Sequence, residues 1–180
     1  MRPRCVYCLL LVFVSACGAS AQAIGEYQVK AAFLYNFAKF VEWPPQTFKA
    51  AKAPVRICIL GENPFGSALG DAVGGKTVLG RPLVVSDVSS AVQGSDCQIL
   101  FIGSSERKHL RAILAELRTT RVLTVGEMDG FASQGGIVNF RLIDGHVRLE
   151  INIEAAGQAG LRINSSVLSL ATIVKTEPQK

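Results

Sequence analysis

The residues of this sequence that could perform chemistry do not form a catalytic pattern. Residues 70–77 (GDAVGGKT) match the phosphate-binding pattern G-x-x-x-x-G-K-[ST]. In nucleotide-binding proteins that loop follows a strand and opens a helix, whose N-terminus faces the phosphates. Here a helical pattern precedes the loop, and Pro82 prevents a helix from following it. We therefore predict a glycine-rich turn and no nucleotide hydrolysis.

Metal binding and covalent catalysis are not indicated either. The two histidines, His109 and His146, have no second ligand at a useful spacing. No G-x-S-x-G segment presents a serine nucleophile, and neither of the cysteines beyond the N-terminal region has a base close by in the sequence. We expect no metal, no cofactor and no enzymatic activity.

The N-terminus has the layout of a secretory signal peptide. Two arginines precede an apolar run over 5–16, which is too short to span a bilayer, and small residues follow it. Cleavage is expected after Ala21 or Ala23, so the predicted signal peptide is 1–23. The alternative is a lipobox that leaves a lipidated Cys17 as the first residue. Either way, the chain is expected to be exported to the periplasm.

The remaining sequence has the composition of one globular domain. Of the 180 residues, 49% are hydrophobic and 18% are charged, which excludes a largely disordered chain. Removing the leader leaves 17 basic against 14 acidic side chains, a formal charge of +3 that gives no indication of nucleic-acid binding. We expect one domain over 24–176 and a frayed tail over 177–180.

Hydrophobic periodicity predicts an α/β fold. Helices are predicted over 26–42, 63–72, 104–118 (capped by its serines) and 167–174. Strands are predicted over 55–61, 82–86, 98–103 and 122–125, followed by a hairpin of 137–143 and 147–153. The pattern indicates a single three-layer domain, with a mostly parallel doubly wound sheet, a C-terminal antiparallel hairpin and flanking helices.

Two groups of residues are candidates for binding. A doubly wound sheet has a crevice beyond the carboxyl ends of neighbouring strands, where Glu62, Asn63, Ser104 and Ser105 would lie. Serine hydroxyls and free helix N–H groups suit a small anion there, unless they only cap helices. The first helix is rich in aromatic residues, and those left on its outer face would be anchors for a partner protein.

Cys58 and Cys97 are the two cysteines outside the leader, and we predict that they form a disulfide in the oxidising periplasm. If the glycines that end their strands, Gly61 and Gly103, lie level, the cysteines are offset by roughly 10 Å along the strands. That offset exceeds disulfide reach. The bond therefore requires staggered strands or a Cys97 in the loop before its strand.

The ordered motifs of the chain resemble those of the YfiR-like periplasmic regulators. The similar segments are YQVKAAFLYNFAKFVEWP (27–44), RICILG (56–61), GKTVLGRPL (75–83), CQILFIG (97–103), GGIVNF (135–140) and VRLEINIEAAGQAGLRINSSVLSLATI (147–173). The resemblance implies a periplasmic α/β protein without catalytic activity. It would bind the periplasmic region of a membrane-bound diguanylate cyclase and restrain it, with release by envelope stress or redox change.

The resemblance also implies roles for particular residues. Contact with the cyclase is expected at Tyr35, Trp43, Glu150, Asn152 and Arg162. The cysteine pair predicted above matches family cysteines, whereas a second pair found in some members is missing. A homodimer is a further expectation. The alternative function is a periplasmic protein that binds a small ligand or anion in the crevice and feeds a membrane sensor or transporter.

Overall fold

An eight-stranded sheet forms the middle layer of the fold. The structure, a computed structural model, describes residues 18–177, with side chains from Gly25 onward. In chain order the strands are β1 (Val41–Glu42), β2 (Val55–Leu60), β3 (Thr77–Val78), β4 (Arg81–Val88), β5 (Ile99–Ile102), β6 (Leu123–Gly126), β7 (Val138–Ile143), β8 (His146–Ile151), β9 (Arg162–Ile163) and β10 (Ala171–Ile173). The sheet order is β10-β8-β7-β6-β5-β2-β4-β3, and β1 and β9 form a separate two-stranded ribbon.

Helices cover both faces of this sheet. They are α1 (Gly18–Phe40), α2 (Ala68–Val73), α3 (Ala91–Gly94), α4 (Leu110–Leu117), α5 (Ile153–Gln158) and α6 (Ser165–Leu168), with 3-10 turns at Pro45–Thr47 and Ser104–Lys108. Apolar residues of α1 and α2 pack on one face, and those of α3 and α4 pack on the other. Within the sheet, only the β7–β8 and β3–β4 pairs are antiparallel. The predicted fold class is confirmed.

Two apolar cores explain why the central strands are hydrophobic on both sides. In β2, Ile57 and Ile59 face α1, whereas Cys58 and Leu60 face α4. A strand that is covered on both faces must be apolar at every position, which is the pattern of a parallel sheet between helices.

Helix α1 is held to its face of the sheet by an apolar stripe. Ala31, Leu34, Phe37 and Ala38 recur at helical spacing and are buried. The ring of Phe37 stacks on Phe140 of β7, with centroids 6.2 Å apart. Helix α1, near the N-terminus, is therefore packed against the β7–β8 hairpin, which lies near the C-terminus.

Two tight turns depend on residues with positive φ. Asp144 (φ 51°) and Gly145 (φ 73°) join β7 to β8, as the hairpin signal predicted. Leu79 (φ 50°) and Gly80 (φ 74°) join β3 to β4, and the Leu79 side chain is 95% exposed. The glycine-rich motif before this second turn runs from α2 directly into β3, so no helix follows it, as expected.

The predicted final helix over 167–174 is wrong. The Asn164 side chain accepts a hydrogen bond from the Ser166 backbone N–H and starts α6 earlier than predicted, and α6 ends at Leu168. The chain then enters β10, which pairs in parallel with β8. An apolar run of this length fits either a buried helix or a strand. It forms a strand here because its backbone can pair with the edge of β8.

Other boundaries also differ from prediction. The segment 104–118 begins as a 3-10 turn capped by Gly103 rather than by a serine, and α2 starts only at Ala68. Helix α1 extends back to Gly18, through both expected cleavage positions, while the rest of the predicted leader, including Cys17, lies outside the described residues. The predicted tail lies outside them from 178 onward.

The predicted disulfide between Cys58 and Cys97 is present, with the two Cα atoms 6.1 Å apart. Gly61 and Gly103 follow directly paired residues of β2 and β5, so the strands are not staggered. Instead, Cys97 lies in the turn after α3, where its N–H donates to the Gly94 carbonyl (3.1 Å). This turn folds the chain back and brings the sulfur over β2.

Removing the disulfide should destabilise the domain. The closed loop spans a sequence separation of 39, for which the chain-entropy model gives about 4 kcal/mol. The double variant Cys58→Ser, Cys97→Ser should lose about that free energy of unfolding in urea. Reduced wild type measured under the same conditions is the control, and it should match the double variant. Equal stability of the oxidised wild type and the double variant would contradict the expectation.

Candidate functional site

The loops at the carboxyl ends of β2 and β5 meet, as the sequence predicted. The Glu62 N–H donates to the Ser105 hydroxyl (2.9 Å). A Cβ atom at Gly103 would lie 2.6 Å from the Glu62 carbonyl oxygen, so only glycine permits this approach. The two loops therefore contact each other directly where a ligand crevice was expected, and the Ser105 hydroxyl is used between them.

The two remaining crevice candidates are Asn63, which is hydrogen-bonded to nearby residues, and Ser104, which has no side-chain hydrogen bond among the described residues. The Asn63 amide donates to Asp87 Oδ1 (3.3 Å), and its oxygen accepts from the Phe65 N–H (3.0 Å). Ser104 is exposed in the 3-10 turn. The topology thus places these four residues together beside β2 and β5, between which the order of the strands in the sheet reverses. The hydrogen bond from Glu62 to Ser105 joins the two loops.

A buried charged cluster lies next to these loops and was not predicted. Lys30 of α1 is 3% exposed. Its Nζ contacts Glu127 Oε2 (2.7 Å), just after β6, and Glu26 one turn earlier on α1. The Tyr27 hydroxyl donates to the other Glu127 oxygen (3.2 Å). One ammonium group and one phenol thus satisfy two shielded carboxylates and join α1 to the carboxyl edge of the sheet.

The environment of Tyr27 alters its acidity. Burial, followed by the negative charge of Glu127, raises the pKa of Tyr27 from 10.0 to about 12. The Lys30 ammonium lies 4.6 Å from the centre of the same ring, which adds a cation–π contact. The phenol is thus kept protonated, as its hydrogen bond to Glu127 requires.

A sequence signal for this cluster did exist. Lys30 lies one residue before Ala31 and four before Leu34, and so it falls within the buried stripe of α1. A lysine on the apolar face of an amphipathic helix must find an anion or lift its ammonium group out to water. The identity of the anion, Glu127, could not be read because it lies 97 residues further along the chain.

The predicted partner-binding residues fall into two separate regions. Tyr35 and Trp43 are half-buried against the core on the α1 side, and the Lys76 ammonium lies 4.5 Å from the centre of the Tyr35 ring. Arg162 is exposed on β9, directly opposite Glu42 of β1. Trp43 directly follows Glu42 and packs against the core, so its side chain lies on the opposite face of the β1–β9 ribbon from Arg162.

Glu150 lies on the opposite face of the sheet, away from the ribbon. Its neighbours Leu149 and Ile151 point towards α1, so its own side chain points outward from β8. It accepts a hydrogen bond from the Asn139 amide (2.9 Å) and lies 3.7 Å from Arg141. This is the solvent-facing side of the hairpin that the alternating sequence predicted.

Asn152 is not on that exposed face, contrary to expectation. It is fully buried, and its side-chain oxygen caps α5 by accepting from the Ala155 N–H (2.9 Å). Its amide donates to the Ala132 carbonyl (2.8 Å) and to the Thr176 hydroxyl (2.9 Å). Its position is structural, and its bond to Thr176 holds the last residue of the predicted domain.

The described residues show neither a metal centre nor a membrane span. Among residues 18–177, no group of three or more His, Cys, Asp or Glu side chains is placed to hold a metal ion. No helix in that range is long and apolar enough to cross a membrane.

One solved structure shares the general architecture. It is a domain from Streptococcus pneumonia, described as the ABC domain in complex with L-Trp; the TM-score is 0.51 at 12% identity, and the match covers 85% of this chain and 60% of that one. This likeness is one of fold alone.

Two other solved structures are less similar. A conserved domain protein from Vibrio cholerae has a TM-score of 0.49 at 13% identity, and the match covers 68% of this chain and 55% of that one. An open, ligand-free substrate-binding protein with adhesive properties from Clostridium difficile has a TM-score of 0.49 at 12% identity, and the match covers 71% of this chain and 56% of that one. The chain spans little more than half the length of these proteins.

The fold is a three-layer α/β domain in which the loops after β2 and β5 contact each other. The sequence matches the YfiR/HmsC-like family over residues 27–172. The chain belongs to that family, which is one of periplasmic, non-catalytic regulators.

Replacing the buried ammonium should destabilise the fold strongly. Lys30→Met leaves Glu26 and Glu127 shielded without a cation, which should cost about 3–5 kcal/mol of unfolding free energy in urea. Adding Glu127→Gln to this variant should recover part of the loss, because it removes one unpaired charge. Lys39→Met, at an exposed position of the same helix, is the control and should change stability by less than about 0.5 kcal/mol. Equal losses for the two lysine variants would refute the role of the cluster.

The raised pKa of Tyr27 predicts a decline of stability in alkali. The phenol ionises near pH 10 in the unfolded chain but only near pH 12 in the folded one, so unfolding releases a proton between these values. The contribution is complete below pH 10 and is lost as the pH rises towards 12. Tyr27→Phe should flatten the pH dependence of the unfolding free energy in this window. An identical slope for wild type and variant would show that Tyr27 ionises normally.

Proposed function

We propose that this protein binds and restrains a membrane-bound diguanylate cyclase from the periplasm, and so limits cyclic di-GMP and biofilm formation. The observation that carries the proposal is the match to the YfiR/HmsC-like family over residues 27–172. The exported location rests on the same family and on the leader predicted over 1–23. Its action is binding alone, in keeping with a site that offers no catalytic constellation.

The β1–β9 ribbon supplies the first part of the proposed interface. It presents the exposed Arg162 opposite Glu42, and the half-buried Trp43 follows directly after Glu42. Tryptophan and arginine are enriched among residues that dominate binding energy, because each combines a large contact area with hydrogen-bonding groups. Tyr35, between two lysines, extends this region along α1.

The outer face of the β7–β8 hairpin supplies the second part. Arg141 and Arg148 lie directly opposite each other there, and Glu150 and Asp129 offset the charge of Arg141. Like charges on a directly opposed pair disfavour the hairpin, and a partner carboxylate at Arg148 would relieve that repulsion. This face therefore suits an acidic segment of the cyclase.

Restraint requires a preference for one state of the partner. A regulator that bound the active and inactive cyclase equally would leave their ratio unchanged, however tight the complex. The two regions lie on opposite faces of the sheet, so a partner that contacts both must pass around its β10 edge. A partner that reaches both regions in only one of its two states would give the necessary selectivity.

The proposal predicts separable effects of surface and core substitutions. Deleting the gene should raise cyclic di-GMP and attachment, because the cyclase loses its restraint. Arg162→Gln should do the same with an unchanged melting temperature, whereas Arg111→Gln, at an exposed position of α4, should have no effect. Phe37→Ala, at a position 1% exposed, should act like the deletion through a loss of about 3–5 kcal/mol of stability.

Two results bear on these expectations directly. Unchanged cyclic di-GMP in the deletion strain, measured while the cyclase is expressed, would reject the proposed function. Equal effects of Arg162→Gln and Arg111→Gln would reject the ribbon as the contact region. Trp43→Ala is less informative, because Trp43 also packs against the core.

A further inference from the structure

We propose that a cleft at the amino-terminal edge of the sheet binds a small, doubly charged oxyanion, such as a phosphate or a dicarboxylate. The cleft has a volume of about 420 Å³, within the range of small-molecule sites. It lies at the opposite edge of the sheet from the filled crevice and the Lys30 cluster. The inference does not rest on the proposed restraint of a cyclase.

The topology brings three chain segments together at this edge. Arg56 is near the start of β2, Gln98 directly precedes β5, and Arg121 shortly precedes β6. These strands are neighbours and run in parallel, so their amino ends lie side by side. The segment 46–49, after the first 3-10 turn, forms another wall.

The lining carries a positive charge that the protein does not neutralise. Its charged side chains are Lys49, Arg56, Arg121 and a single carboxylate, Asp96. Asp96 pairs with Lys49 at 3.1 Å. Within residues 18–177, the two arginines have no carboxylate partner, although each could bind an oxyanion through two parallel N–H bonds. The excess of two positive charges matches a dianion.

Neutral side chains in the lining also offer donors. The Gln98 oxygen accepts from the Arg56 backbone N–H (2.7 Å), so the group that Gln98 can offer to a ligand is its NH₂. Thr119 also belongs to the lining, and its exposed side chain carries a hydroxyl group.

The walls of the cleft are fixed before any ligand arrives. Cys97 is part of the lining, and its disulfide to Cys58 ties that wall to β2. Phe48 is held by the Arg81 guanidinium, 3.9 Å from its ring centre, and Arg81 also donates to the carbonyls of Ala50 (3.0 Å) and Ala53 (2.8 Å). A preformed site loses little conformational entropy on binding, which favours a specific ligand over loose counterions.

Binding can be tested on the purified, oxidised domain. Inorganic phosphate and succinate, each titrated against sodium chloride at equal ionic strength, are the probes for the two sources of the dianion. Calorimetry should show saturable binding of at least one probe with a stoichiometry of one, and that probe should raise the melting temperature. The tighter probe identifies phosphate or carboxylate as the natural chemistry.

Matched variants assign any binding to the cleft. Arg56→Gln with Arg121→Gln should weaken the affinity at least tenfold, about 1.4 kcal/mol, while leaving the ligand-free melting temperature nearly unchanged. Arg111→Gln, which removes an exposed charge outside the cleft, should bind as wild type does. Absence of saturable binding by both probes, or equal affinity in the double variant, would overturn the proposal. Because no cyclase is present, this result is independent of the proposed function.

Discussion

The ammonium group of Lys30 lies inside the protein, and an ammonium group there must be matched by carboxylate oxygens. Glu26 lies one turn away on the same helix, but Glu127 lies 97 residues further along the chain, just after β6. Meeting both at once sets the rotation and the axial position of α1 on the sheet. If the helix slid or turned, a charged group inside the protein would lose its partner. An apolar stripe alone would tolerate small shifts.

Much of the remaining architecture follows from this placement. With α1 fixed, Phe37 meets Phe140, and the chain leaving the helix is directed along β9 to form the ribbon. The two edges of the sheet then differ. The carboxyl edge, where doubly wound proteins usually bind ligands, is occupied by loop-to-loop hydrogen bonds and the charged cluster. The amino edge has an open, positively charged cleft, and the disulfide is part of its wall. The type of fold therefore does not by itself predict where a ligand binds.

The sequence predicted the features that depend on local chemistry. The β-branched runs gave the central strands, and Asp144-Gly145 gave the hairpin, because each signal is contained within a few residues. The disulfide was predicted from the cysteine inventory, and the condition it required, a Cys97 in the preceding loop, is the one observed.

The errors came where a distant neighbour decides the outcome. Ala171–Ile173 became a strand because β8 offered an unpaired edge, and nothing within the segment says so. Asn152 was read as an exposed polar group of a strand, but the strand ends one residue earlier and the side chain caps a helix. The crevice residues lie at the carboxyl ends of neighbouring strands, but whether two loops leave a gap or touch depends on atomic distances such as that from Gly103 to Glu62.

The long span between Lys30 and Glu127 also affects how the molecule folds. Closing a loop of 97 residues must precede any benefit from that ion pair, and the contacts of α1 with the hairpin are more distant still. Domains dominated by such non-local contacts fold slowly for their size. The parallel core of β2, β4, β5 and β6 can assemble from consecutive segments, whereas the apolar stripe of α1 lacks its partner until the hairpin exists. Transiently exposed apolar surface of this kind favours aggregation during folding.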